Sequence, residues 1–207
     1  MTLRLSALPL ALFLLVPARL FAQHERTIPL NTTALAGQKV AVLPLTMVVT
    51  DPAIADDSAY VALRDRAATL RWADSLIGDA ITGRAPEVTW VLPPELRKAA
   101  RRSAGFMANP DQMGQAVMRS RGIKKVPDPL RSELRTLVAI AGGRYALIPA
   151  ALSFSRDTAG AVHAGLSLAF ADARTGDVMW RSWAAGSGSE PLGAMRAALA
   201  SVLPVEQ

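Results

Sequence analysis

The sequence has no cysteine, which excludes disulfide staples and a lipid-bearing Cys at a cleavage site, so the fold must hold by its core alone. Histidine is nearly as scarce. His24 falls near the start of the chain, and His163 has no carboxylate or serine at a spacing that suggests a relay. The Gly-x-Ser-x-Gly nucleophile turn is missing, as are a Walker loop and a dinucleotide fingerprint. Asp51, Asp56 and Asp57 lack the ligand spacing and central glycine of a calcium loop. Aromatics make up only 5% of residues, and Phe106 stands alone between Arg97 and Arg144. The interleaved rings that stack on single-stranded nucleic acid are therefore lacking. These absences predict no catalytic set, no metal site, no small-molecule cofactor and no nucleic-acid partner.

What is present begins with an export signal. Arg4 precedes a charge-free apolar run from Leu5 to Val16, too short for a spanning helix, which needs about 20 apolar residues. Pro17 breaks it, and cuts after Ala22 or after Ala18 both fit; an uncleaved anchor is the alternative. The expected division is a signal peptide over 1–22, a flexible linker over 23–37 and a single domain over 38–204. The mature chain is expected to be soluble and exported, periplasmic or extracellular. Loss of Arg4 and Arg19 would take the formal charge from +6 to +4, leaving 21 basic residues against 17 acidic.

The apolar run Lys39–Val48 suits a strand buried on both faces and interrupted near Pro44. Asp51–Asp57 reads as a polar loop. A helix follows, with Leu70, Ala73, Leu76, Ile77, Ala80 and Ile81 on one face, and Arg71, Asp74, Ser75, Gly78 and Asp79 on the other. Val88–Leu92 is a second strand, so strand–helix–strand predicts a parallel crossover. Pro93-Pro94 opens a short basic helix. Asp128 is expected to cap a later one, with Pro129 in its first turn and Leu130, Leu134, Leu137, Val138 and Ala141 facing inward. The last third alternates as strands. Val162, Ala164, Leu166, Leu168 and Phe170 share one face, while His163, Gly165, Ser167, Ala169 and Ala171 share the other. Arg174–Asp177 is a tight turn. Gly186–Ser189 reads as a strand exit with Ser189 capping the final helix, or alternatively as an anion cradle. The fold class expected is α/β: one mixed sheet, parallel at its start and antiparallel at its C-terminal hairpins, packed by about four helices.

Charge is unevenly spread. Eleven basic residues lie from Arg97 to Arg144 against Asp111, Asp128 and Glu133, whereas Asp51–Asp79 holds six aspartates against three arginines. Arg97, Lys98, Arg101, Arg102, Lys124 and Lys125 are candidates for steering an acidic protein or an anionic lipid surface. His163 and Trp183 complete the candidate interaction surface. A hydrolase acting on an envelope polymer, drawing on Asp51, Asp57 and Asp79, is the competing expectation.

Val40–Leu45, "VAVLPL", together with Asp172, Thr175, Gly176, Asp177 and Trp180 of "DARTGDVMW", resembles a group of exported α/β domains. The group comprises the curli-secretion-channel subunit, the penicillin-binding-protein activator lipoprotein and the amino-terminal domain of the Tol translocation protein. The resemblance implies a mixed sheet packed by helices. It also implies a non-catalytic role in envelope assembly, through protein binding or self-association. Asp172 and Gly176 would serve the turn and Trp180 would fill core. The sequence departs from that group in lacking the lipid-attachment Cys, channel-forming strands and a following propeller, so secretion-pore and Tol functions do not transfer.

Overall fold

The computed structural model describes residues 27–203. The expected signal peptide lies outside the described residues. A single six-stranded mixed sheet organises the chain. Strand β1 (Lys39–Val42) pairs in parallel with both β3 (Thr89–Val91) and β4 (Tyr145–Arg156), as the crossover pattern predicts. Strand β2 (Val48–Thr50) runs parallel to the far half of β4. Strands β5 (Val162–Asp172) and β6 (Val178–Gly188) complete an antiparallel meander. Pro44 separates β1 from β2, because a residue without an N–H cannot extend a central ladder. Buried Gln115 takes up the freed Pro44 carbonyl through its Nε2 at 2.9 Å.

Helices cover the sheet on both faces. Helices α2 (Arg66–Arg84) and α5 (Pro191–Val202) close one core, in which Ile77 and Ile81 meet Met195 and Leu199 across Val40, Val42, Leu166 and Phe170. Helices α3 (Pro93–Arg102) and α4 (Leu130–Ile140) close the other, with Leu96, Leu130, Leu134 and Leu137 over Ala41, Leu43, Ala146 and Ile148. Each strand feeds both cores by alternation. In β4 the alternation inverts. Leu147 faces the first core while Ala146, Ile148 and Ala150 face the second, yet beyond the irregularity at Pro149–Ala151 it is Leu152 and Phe154 that face the first. One extra residue flips the pleat, and it also gives Pro149 a place within the sheet.

Several expectations need correction. The loop over 51–57 holds a helical turn, α1 (Pro52–Ala55), because Asp51 accepts from the Ala53 N–H at 2.8 Å and Pro52 opens the turn. Asp74 and Gly78, assigned to the solvent face of α2, are buried, whereas Leu70 and Leu76 are only partly so. Asp128 does not cap α4; it takes the side chains of Arg131 and Ser132 instead. Gly186–Gly188 is strand rather than exit. Helix α5 lies directly on it, and a Cβ at Gly186 would stand 2.1 Å from the Ala198 nitrogen. The cap position of α5 falls on Glu190, not Ser189. Residues 27–37 do not behave as a linker: Leu30 and Leu35 are buried, and the Leu30 N–H donates to the Val202 carbonyl. Asp172 does serve the turn, accepting from the Arg174 and Thr175 N–H groups, and Gly176 adopts φ +79°. Trp180 packs partly on the first core and donates from Nε1 to the Pro29 carbonyl.

Candidate interaction surface

The basic candidates divide by what holds them. Arg97 is not a free surface cation. Its Nη2 stands 2.7 Å from Asp74 Oδ2 and 2.7 Å from Asp111 Oδ1, and its Nε also donates to Asp111. These bonds raise an already high guanidinium pKa further. Lys98, Arg101 and Arg102 are exposed on α3. Lys124 and Lys125 lie where the chain runs beside the start of β6: the Val178 N–H donates to the Lys124 carbonyl, and Lys125 Nζ stands 3.5 Å from Asp177. His163 lies opposite Ser187, at the other end of the same strand. Asp177 and Ser187 are ten residues apart, or about 33 Å along an extended strand. The lysine pair and the His163 region are therefore two places, not one.

Asp74 is the carboxylate whose pKa burial pushes up, the feature a buried catalytic carboxylate would show. Its geometry assigns it another task. Oδ1 accepts from the Leu45 N–H at 2.8 Å and Oδ2 from Arg97, so both oxygens are occupied and α2 is tied to the end of β1 and to α3. The carboxylates named from the sequence do not converge. Asp51 caps α1. Asp57 caps the next 3₁₀ turn and pairs with Arg156 at 2.9 Å, and Asp79 is exposed on α2. Among the described residues no group of three or more His, Asp and Glu side chains is placed to hold a metal ion.

His163 does have a carboxylate partner. Across the β4–β5 turn its Nε2 stands 2.9 Å from Asp157 Oδ2, and this hydrogen bond, with the Ala161 and Ala159 N–H groups, holds the Asp157 pKa below its ordinary value. The pair sits beside an open groove of about 400 Å³, formed by Ser153, Ser155, His163, Gly165, Trp183 and Ser187 among others. Strand pairing places these side chains on one face of β4, β5 and β6, with exposed Val49 of β2 beside Ser153. Trp183 rests directly on Gly165, where a Cβ would lie 2.2 Å from its Cζ2. His163 and Trp183 therefore do come together. Sequence reading missed the serines of β4, because the inversion at Pro149 hides which face they occupy.

At this end β6 is also the edge of the sheet. The Trp183 carbonyl accepts from Thr27 Oγ1 at 2.8 Å, and the Ile28 N–H donates to Ser182 Oγ. Beyond that contact Ala185 and Ser187 are exposed. Among the described residues no helix is long and apolar enough to cross a membrane.

No family model matches the chain, and no curated protein does. Solved structures similar to it include the LpoB C-terminal domain from Salmonella enterica, at 20% identity and TM-score 0.37, covering 75% of this chain and 84% of that one. Lipoprotein GNA1162 from Neisseria meningitidis is similar at 12% identity and TM-score 0.36, covering 73% and 83%. The PelC dodecamer from Paraburkholderia phytofirmans is similar at 15% identity and TM-score 0.39, covering 88% and 96%. LpoB falls in the penicillin-binding-protein activator group named from the sequence.

Proposed function

We propose that this chain is an exported, non-enzymatic domain whose work is contact with another protein of the cell envelope. One observation carries the proposal: the far end of β4, β5 and β6 leaves a sheet face of small side chains open, with Trp183 seated on it and an edge strand alongside. Half-buried tryptophans beside exposed backbone are the kind of anchor on which protein contacts concentrate. Export rests on the amino-terminal apolar run.

The test is affinity capture from envelope extracts with the wild-type chain and Trp183→Ala. A discrete partner held by the wild type and lost with Trp183→Ala is the expected result, with both proteins melting at similar temperatures. Capture that is indifferent to Trp183, or a wild-type chain that holds nothing, contradicts it.

A further inference from the structure

We propose that the cleft between the end of α4 and the β5–β6 turn binds a phosphate group. The cleft, about 390 Å³, brings Arg135, Arg144 and Arg174 together over a floor of Val138, Ala139 and Ala173. Among the described residues no carboxylate lines it, whereas Asp111 lines both clefts beside Arg97. The three arginines come from α4, from the residue before β4 and from the turn after β5, so three separate elements each contribute one to the cleft lining.

One of the three is already fixed in place. Arg144 donates from Nε to Asp172 Oδ2 at 2.8 Å, its Nη2 stands 2.6 Å from the same oxygen, and its guanidinium lies 5.2 Å from the centre of the Tyr145 ring. Asp172 is in turn held by the Arg174 and Thr175 N–H groups, which leaves it little freedom to reach into the cleft. Arg135 and Arg174 are exposed and have no ion-pair partner among the described residues. Gly143 also lines the cleft, and Lys39 Nζ lies beside the preceding residue, 3.3 Å from the position a Cβ on Gly142 would take.

The end of α4 would ordinarily repel an anion through its free carbonyls. Here the Leu137, Val138 and Ala139 carbonyls already accept from the N–H groups of Ala141, Gly143 and Gly142. A carboxylate is satisfied by a single guanidinium fork, whereas a phosphate offers oxygens in several directions and matches donors that converge. That difference selects the ligand. The phosphate can be free or carried on a lipid headgroup, and the same chemistry serves both. The cleft is distinct from the Trp183 groove, so its occupancy does not depend on the protein contact proposed above.

The experiment follows arginine side-chain ¹⁵N resonances of the purified chain during titration with inorganic phosphate. A parallel arm measures co-sedimentation with vesicles of phosphatidylglycerol in phosphatidylcholine, and of phosphatidylcholine alone. The expected result is a saturable shift at Arg135, Arg144 and Arg174, weakened about tenfold or more in Arg135→Gln/Arg174→Gln. Arg101→Gln/Arg102→Gln, which removes the same charge from α3, should leave the affinity within about twofold. Anionic vesicles that displace phosphate, and that release Arg135→Gln/Arg174→Gln, identify a headgroup; phosphate binding without vesicle binding identifies a soluble ligand. No saturable shift by about 10 mM, or equal weakening by the two double variants, overturns the proposal.

Discussion

The two ends of strand β5 present residues on the same face of the sheet and meet opposite fates. Ala169 and Ala171 are buried in the second core, beneath α4 and the 3₁₀ turns before it. His163 is exposed, and the atoms nearest the side of buried Gly165 belong to Trp183 and Ser153 at the open groove. Alternation along the strand decides which residues share a face, but not whether anything lies over that face. Cover is decided by how far α3, α4 and the chain between them reach. It is a property of distant sequence, and the part of the sheet they leave bare is the surface proposed above for contact with another protein.

Substitution can break this comparison. Ala169→Asp places a charge under the second core and is expected to cost about 4 kcal/mol or more, enough to unfold the chain, whereas Ser155→Asp at the bare end should change stability by less than about 0.5 kcal/mol. Denaturant unfolding of the two variants separates them; similar costs would mean that the bare end is covered after all. The glycines offer a sharper pair. Gly186→Val drives a side chain into the backbone of α5 and is expected to cost about 3 kcal/mol. Gly165→Ala meets the Trp183 ring and, at 3.0 Å, Ser153 Oγ; both are side chains at the open groove, and the ring can swing outward. Its cost should be about 1 kcal/mol, accompanied by a red shift of tryptophan emission.

A further effect is pH-dependent. Burial works to raise the Asp172 carboxyl, but the Arg144 hydrogen bond and the Arg174 and Thr175 N–H groups together bring it below its ordinary value of 3.8. A carboxylate lowered in the folded state stabilises at pH values above 3.8, and that contribution disappears as pH falls through the folded value. Asp172→Asn should therefore lose about 1 kcal/mol at neutral pH, and the difference from wild type should shrink in acid. A difference that persists unchanged at low pH would mean that charge plays no part in holding the turn.

Much of the architecture was legible in the sequence. The run at Val40, the periodic helix over 70–81 and the alternation from Val162 to Phe170 report local period and burial, and these directly dictated a mixed sheet with helices packed on it. What was hidden depended on contacts between distant residues. Asp74 reads as a solvent-facing aspartate until Leu45 and Arg97 are seen to enclose it. Gly186–Gly188 reads as a break because glycine ordinarily weakens a strand, whereas here its missing side chain is the seat for α5. The candidate site was half visible. His163 and Trp183 were named and do meet, but the serines of β4 join them only through the pleat inversion at Pro149. Asp157 escaped notice because the partnership with His163 is made around a turn.

The bare end of the sheet is most directly tested by site-specific photocrosslinking in intact cells, with the reactive side chain at Ala185 on β6 and, as control, at Thr82 on α2; both positions are exposed. A discrete protein adduct from position 185 and none from position 82 is the outcome this account predicts. Adducts from position 82 alone, or from neither position, would contradict it.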